Sequence, residues 1–340
     1  MVKLRFFKRL SLGLAGLALA SSILSLLVPI PSSLVESLYA RRIYPLVASL
    51  MGSFARVVDF SWLDFLVPLA IIGVPYLVYR RKFLHLLALV STGYLLFFWT
   101  WGLNYHRPPL ATKLDFSAER VNAESIADLR DEAAVALNDL YAERSTAVLD
   151  DAGLETEVAA RVGAVVAELD GISWPVDSGV KSSWVLDPFL RAAGVEGMFN
   201  PFGHEAIVTR GLLSFEMPMV ASHELAHVRG YPHEGDASFV ALMAALGSSD
   251  AAFRYSGWLT LWFYLRSSES DLLLEQGPRS DVEAVYARIA DQRIDWVSRT
   301  QTRSLDVFLR ANQVEGGVRS YAEIVNLAVG TRPFWDRFTE

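Results

Sequence analysis

His223-Glu224-Leu225-Ala226-His227 is the stretch of sequence that says most about the fold of this chain and about the site that the fold carries. Residues four apart share one face of a helix, so both imidazoles can reach one Zn²⁺ at about 2.0 to 2.1 Å. Glu224 lies roughly 100° further around the same helix, which lets its carboxylate hold a water molecule that the ion activates. The pattern therefore predicts a hydrolytic zinc site in which His223 and His227 are ligands and Glu224 is the catalytic base.

A zinc site of this kind needs a third protein ligand, and the sequence offers three candidates. Glu234 follows the helix break at Gly230 and Pro232, and a helix that restarts there would direct its carboxylate inward. His233 completes the spacing H-E-x-x-H-x-x-G-x-x-H, in which a glycine turn returns a third imidazole to the metal. Asp236 lies one helical face further round. We predict Glu234 as the third ligand, with His233 and then Asp236 as the alternatives.

A wider resemblance is carried by several segments, namely 101–105, 197–201, Glu205, 222–230, Glu234, Ala237, Phe239, 253–257 and 316–321. Together they resemble an uncharacterised family of bacterial, membrane-anchored proteins with a zinc metallopeptidase motif. The resemblance implies a zincin-like fold, a membrane anchor, bound zinc and peptide hydrolysis. The chain departs from the family at Asp236 and Ser238, where Glu and Asn are usual, and the shorter acid weakens Asp236 as a ligand.

Three apolar stretches in the first third of the chain predict membrane-spanning helices at about 10–30, 62–79 and 84–103. About 20 residues at 1.5 Å rise cross a hydrocarbon core of about 30 Å. The second and third stretches are interrupted only by Asp64 and His85, near their beginnings. The rival interpretation of the first stretch is a cleaved signal peptide, which its length disfavours.

The distribution of charge predicts the orientation in the membrane. Residues 1–103 hold 10 Lys and Arg against 3 acids, which leaves 21 basic and 35 acidic residues for 104–340. Basic loops stay on the cytoplasmic side, so we expect an inward N-terminus in the bacterial cytoplasmic membrane. Residues 1–105 would then be the anchor and 106–340 an outward metallopeptidase domain. Its acidic balance argues against nucleic-acid binding, and the lack of cysteine excludes a thiolate ligand.

The outward domain is predicted to be α+β, mostly helical with a small sheet. Apolar residues recur at helical spacing near 126–141 and 155–169, whereas 183–187 and 205–209 resemble short strands. The strand at 205–209 precedes the helix that carries the motif; it is either a candidate for docking a peptide by strand addition or an ordinary strand of the sheet. Tyr255 and His204 are candidate donors to an oxyanion, although neither spacing is diagnostic.

These expectations converge on zinc-dependent hydrolysis of peptide bonds outside the cytoplasmic membrane. The substrate would be a peptide or protein. One alternative is an amidase or peptidase that acts on cell-wall peptides, because the same site can cut them. The other is a catalytically silent scaffold or sensor stapled by the metal, against which the intact Glu224 argues.

Overall fold

The computed structural model describes residues 2–27, 30–144, 151–173, 179–267, 270–312, 314 and 323–339. Helix makes up 74% of the structure, accompanied by a small three-stranded sheet, which confirms the mostly helical prediction. The segment 316–321, which carries part of the resemblance, lies outside the described residues. The helices are α1 (Val2–Leu27), α2 (Ser32–Leu34), α3 (Tyr44–Ala55), α4 (Leu63–Tyr79), α5 (Phe83–Thr100), α6 (Ala123–Leu140), α7 (Asp151–Asp170), α8 (Asp187–Ala193), α9 (Met217–Val228), α10 (Glu234–Leu246), α11 (Ala251–Leu265), α12 (Gln276–Gln292), α13 (Asp295–Ala311), α14 (Glu323–Gly330) and α15 (Arg332–Thr339).

Two of the described helices are long and apolar enough to cross a membrane, namely Arg5–Leu24 within α1 and the whole of α5. Only 11% of each apolar window is buried, so these side chains face outward rather than into a protein core. Helix α4 occupies the second predicted span, but with 17 residues, two of them prolines, it is shorter than these two candidates and is not counted with them. Helix α5 ends at Thr100, three residues before the predicted end, because the chain turns into a 3₁₀ helix at Gly102–His106.

A continuous helical stretch connects α1 with α4, formed by α2, a π-helical segment at Val35–Ile43, and α3. One face of α3 is buried, and the hydroxyl of its first residue, Tyr44, donates to the carbonyl of Val228 at the end of α9 at 2.6 Å. The opposite face is apolar and exposed, with Leu46 at 74%, Leu50 at 67% and Phe54 at 66%. An α3 helix with these two faces joins the folded domain on one side and presents an apolar stripe on the other.

Helices α9 and α10 lie at the centre of the larger hydrophobic core. Every residue of α10 except Asp236 is buried, as expected for a helix that is apolar all round. Helices α6, α7, α11, α14 and α15 surround this pair and contribute to the same core, which includes Leu225, Phe239 and Trp262. The motif on α9 therefore packs directly against the most enclosed helix of the domain, α10.

The sheet consists of β1 (Val180–Lys181), β2 (Gly197–Asn200) and β3 (Glu205–Val208), in the order β1-β3-β2. Strand β3 confirms the strand predicted at 205–209. It runs parallel to β1 and antiparallel to β2, so it is the central strand and both of its edges are already hydrogen-bonded. The prediction that a peptide docks on 205–209 by strand addition is therefore wrong, because no edge of β3 is free.

The strand predicted at 183–187 is also wrong. The chain forms a turn there and enters α8 at Asp187. The carboxylate of Asp64, in the first turn of α4, accepts the Ser183 hydroxyl at 2.6 Å and the Val185 amide at 2.9 Å. These bonds satisfy the backbone locally and tie the turn to the beginning of α4, so the β-rich composition does not produce a strand.

Candidate metal centre

The turn between α9 and α10 brings the end of one helix close to the beginning of the next. Gly230 adopts a φ of +85°, a left-handed conformation that favours glycine, and a Cβ there would meet the Tyr44 ring at 2.7 Å. The Tyr231 amide returns to the carbonyl of Ala226 at 3.2 Å, which closes the end of α9. Helix α10 then begins at Glu234, so this side chain points back toward the motif.

His223, His227 and Glu234 meet at one point. The Nε2 atoms of the two imidazoles are 3.1 Å apart, and Glu234 Oε2 lies 3.1 Å from His223 Nε2 and 3.3 Å from His227 Nε2. Ligands at about 2.0 to 2.1 Å around a tetrahedral ion stand about 3.3 Å from one another, so this spacing fits a metal. Within the described part of the chain, these three residues form the group that could hold a metal ion.

Both imidazoles are oriented through their second ring nitrogens. His227 Nδ1 lies 2.7 Å from the carbonyl of Tyr231 and donates to it, which leaves Nε2 free to bind. His223 Nδ1 lies 3.1 Å from the hydroxyl of Ser238. Partners of this kind fix the ring and its tautomer in metal sites. Sequence reasoning did not assign this role to Ser238, although its position four residues after Glu234 on α10 places it on the same helical face.

The two alternative third ligands lie outside this group. The ring of His233 contacts Tyr105, with centroids 5.8 Å apart, and burial lowers the pKa of His233 to about 4. Although Asp236 is only partly buried by surface area, the loss of solvent around its carboxylate raises its pKa to about 7, and this carboxylate faces the backbone of Leu110 and the side chain of Glu323. The fold therefore brings Glu234, rather than His233 or Asp236, to the imidazole pair.

Glu224 lies beside the ligand group without belonging to it. It is buried, and its carboxylate packs on the backbone of β2, where a Cβ at Gly197 would meet Oε1 at 2.6 Å. Its Oε2 has no hydrogen-bond partner among the described residues. Burial raises the pKa of Glu224 to about 7, while His223 and His227 oppose the rise. A buried carboxylate oxygen without a partner indicates a ligand, ion or water at this position.

The charges of the group also suit a cation. Burial raises the pKa of Glu234, but the two imidazoles more than offset it, and the net pKa lies well below its ordinary value. Burial lowers the pKa of His227, but Glu234 reverses this and raises it to about 9. Glu234 thus stabilises positive charge at the imidazole pair, as a cation bound there would require.

A cavity of about 840 Å³ opens beside the metal group. Its walls are largely apolar and come from α8, β2, α11, α13 and the C-terminal end of α5. Tyr255 and His204 do not line it; the Tyr255 hydroxyl donates to Asp281 at 2.6 Å, and His204 is buried against Phe199. Tyr105 and Tyr264 line the cavity instead. The sequence does not indicate that these two tyrosines line the cavity, because their positions depend on how α11 and the 3₁₀ helix after α5 pack around α9.

These features define a mostly helical protein with a buried His-His-Glu group that could hold a metal ion beside an apolar cavity. The chain belongs to the family described as protein of unknown function (DUF3810), which matches residues 39–329 and so includes the whole group. Comparisons with curated proteins and with solved structures gave no significant match. The identity of the metal and the resemblance to zinc metallopeptidases therefore stay predictions.

Proposed function

We propose that this protein is a zinc-dependent peptidase that hydrolyses peptide bonds at the outer face of a bacterial cytoplasmic membrane. The observation that carries the proposal is the meeting of His223, His227 and Glu234 beside the unpartnered carboxylate oxygen of Glu224. Two imidazoles and one carboxylate are the protein ligands of hydrolytic zinc sites that keep one position open. A silent scaffold stapled by its metal would need neither the free oxygen nor the adjoining cavity.

Zinc held by these three residues would supply Lewis acidity, which polarises a carbonyl oxygen and makes water more acidic. Glu224 supplies the proton transfer. Its free Oε2 accepts a proton from the attacking water and passes it to the departing amine nitrogen. The buried setting of Glu224 strengthens its interaction with these charges, because little water is present to screen them.

The substrate would lie along β2. In the described sheet β2 pairs only with β3, and residues 197–199 line the cavity. An extended peptide can add to the other side of β2 through backbone hydrogen bonds, which places its carbonyl groups near Glu224. This assignment replaces docking on β3, whose edges are both occupied.

The anchor in this proposal has three spans, α1, α4 and α5, with the N-terminus inside and residues 104–340 outside. The apolar side chains of α4 support its inclusion, because Leu69, Ile71 and Ile72 are each at least 66% exposed. The basic turn at 80–82 between α4 and α5 then lies on the cytoplasmic side.

The metal assignment is tested by replacing Glu234 and His233 separately in the purified full chain. We expect Glu234→Gln to lose bound zinc, because the site loses a charged ligand, whereas His233→Ala keeps it. Zinc is measured by inductively coupled plasma mass spectrometry after gel filtration. Equal zinc retention in both variants would contradict Glu234 as the ligand.

The catalytic assignment is tested with Glu224→Gln, which keeps the size of the side chain. We expect zinc content to match the wild type while turnover of fluorescent peptides disappears, since the amide accepts no proton. Hydrolysis at the wild-type rate by this variant would refute the proposed chemistry.

A further inference from the structure

We infer that the cavity beside the metal group receives polypeptide segments as they leave the bilayer. Its substrates are then membrane-inserted proteins that are cut next to their membrane spans. The inference rests on the proposed peptidase function and deepens it by naming the class of substrate. Three contacts lead to it: the first two bring the metal group close to the membrane surface, and the third places the rim of the cavity at the same level.

The first contact ties the metal helix to the end of a candidate span. Trp101, which directly follows α5, donates its indole N–H to the carbonyl of His227 at 3.0 Å, and both residues are buried. The metal ligand is thus bonded through its own backbone to the first residue beyond the apolar helix. A single side chain separates the outer end of α5 from the site.

The second contact is made by α3. Tyr44 binds the carbonyl of Val228 on the inner face, while Leu46, Leu50 and Phe54 form an exposed apolar stripe on the outer face. An amphipathic helix of this kind lies in the membrane surface with its apolar side toward the acyl chains. Because a helix is about 10–12 Å across, the end of α9 that Tyr44 contacts would lie roughly that far above the bilayer.

The third contact places the rim of the cavity at the same level. Phe97, in the last turn of α5, lines the cavity and packs on Phe308 of α13, with ring centroids 6.0 Å apart. On α8, Phe189 also lines the cavity and is 49% exposed, close in sequence to the exposed Trp184. The turn that carries Trp184 is held by Asp64 at the outer end of α4. An apolar rim set beside the ends of two apolar helices suits a chain that has just left the lipid.

The depth of the site limits which bonds it can reach. An extended chain advances about 3.3–3.6 Å per residue, so a rise of about 10–12 Å takes roughly three to four residues. The scissile bond would therefore lie within about the first five residues outside the bilayer. A soluble peptide lacks the confinement that holds such a segment at the rim.

The test uses photo-crosslinking in nanodiscs with the full-length Glu224→Gln variant. Three synthetic probes carry one benzophenone each. The first is a peptide with a membrane span of about 20 Leu and Ala residues and the label roughly four residues outside that span. The second is the same peptide with the label about 24 residues outside, and the third is the labelled soluble tail without the span. Mass spectrometry locates the adducts. We expect the first probe to label residues 187–193 or 295–311 at least about tenfold more than the other two.

Two substitutions on α13 provide a matched comparison. Phe308→Gln makes the rim polar and should reduce adducts of the first probe severalfold, whereas Val307→Gln changes a neighbour that is 69% exposed and does not line the cavity. We expect Val307→Gln to behave like the parent chain. Equal losses in both variants would show that the helix and not the rim was affected, and would overturn the inference.

The results separate the two proposals. Equal labelling by the soluble tail overturns the inference, even if the zinc-loaded wild type cuts soluble peptides and the proposed function holds. Selective labelling by the first probe supports the inference as a binding assignment. If the zinc-loaded wild type then cuts none of the three probes and no soluble peptide, the proposed function fails while the docking remains.

Discussion

At the residue scale, the orientation of His223 depends on the hydroxyl of Ser238 as much as on helix α9. Imidazole ligands rotate freely unless the second ring nitrogen is held, and Ser238 lies 3.1 Å from that nitrogen. The partner of His227 is a backbone carbonyl, which no substitution removes. Ser238 is therefore the position at which a substitution can alter the orientation of the His223 ring without replacing a ligand.

We expect Ser238→Ala to weaken zinc affinity about 10- to 100-fold, the usual cost of removing such a partner. Zinc affinity is measured by competition with a chromophoric chelator. Ser222→Ala is the control, because the Ser222 hydroxyl is buried one residue before His223 and has no partner among the described residues. Similar losses in both variants would assign the effect to packing rather than to the hydrogen bond.

Gly197 is the second position where one residue decides the geometry. Its missing side chain leaves room for the Glu224 carboxylate, and a Cβ would overlap that carboxylate at 2.6 to 2.9 Å. We expect Gly197→Ala to lower peptide turnover at least about tenfold, since a displacement near 1 Å costs about that or more, with zinc retained. Gly163→Ala, where the nearest atoms lie 3.7 Å away, should leave turnover unchanged.

At the element scale, the turn from α9 to α10 is held by a buried ionic cluster formed by Glu36, Arg107, Lys113 and Asp170. Arg107 donates to the Gly230 carbonyl at 2.8 Å, to Glu36 at 2.9 Å and to Asp170 at 2.8 Å. The cluster joins the π-helical segment, α7 and the turn. Because this turn leads into Glu234, the cluster helps to fix the distance between the Glu234 carboxylate and the two imidazoles.

We expect Arg107→Gln to destabilise the protein by about 3–5 kcal/mol, because the two buried carboxylates lose one of the two cations that they share. Arg130→Gln removes an ion pair whose side chains are 29% and 58% exposed, and should cost about 0–1 kcal/mol. Thermal unfolding in detergent, followed by tryptophan fluorescence, measures both. A loss in Arg107→Gln no greater than in Arg130→Gln would rule out a structural role for the cluster.

The same cluster predicts a dependence of stability on pH. Burial raises the pKa of Glu36 and of Asp170, but Arg107 and Lys113 more than offset it, and both folded values lie below their ordinary ones. Such groups stabilise the fold fully above the unfolded pKa of about 4, and this contribution is lost as pH falls through the folded pKa. The unfolding temperature should therefore fall between about pH 5 and pH 3, and fall less in Arg107→Gln.

How much the sequence predicts depends on the separation of the interacting residues. His223, His227 and Glu234 lie within twelve positions, so helical period and one break suffice to bring them together. The contacts that place this unit in the molecule join distant residues: Trp101 is 126 positions from His227, and Tyr44 is 184 positions from Val228. Strand composition predicted β3 but not its central place in the sheet, because strand order depends on partners that local patterns do not encode.

At the scale of the whole molecule, α4 decides which side of the membrane the metal group occupies. If α1, α4 and α5 all cross, an inward N-terminus places residues 104–340 outside. If only α1 and α5 cross, the same N-terminus returns those residues to the cytoplasm. The proposed function, with its substrates outside the cell membrane, requires the first arrangement.

The absence of cysteine from the chain makes this arrangement measurable with single introduced thiols. We expect a membrane-impermeant maleimide to label Asp59→Cys and Thr300→Cys in intact spheroplasts, and Arg80→Cys only after lysis. All three positions are exposed in the folded chain, so a lack of labelling reports the membrane and not burial. Labelling of Asp59→Cys and Arg80→Cys without Thr300→Cys would mean that α4 does not cross. The metal group would then face the cytoplasm, and the proposed action on segments outside the membrane would be wrong.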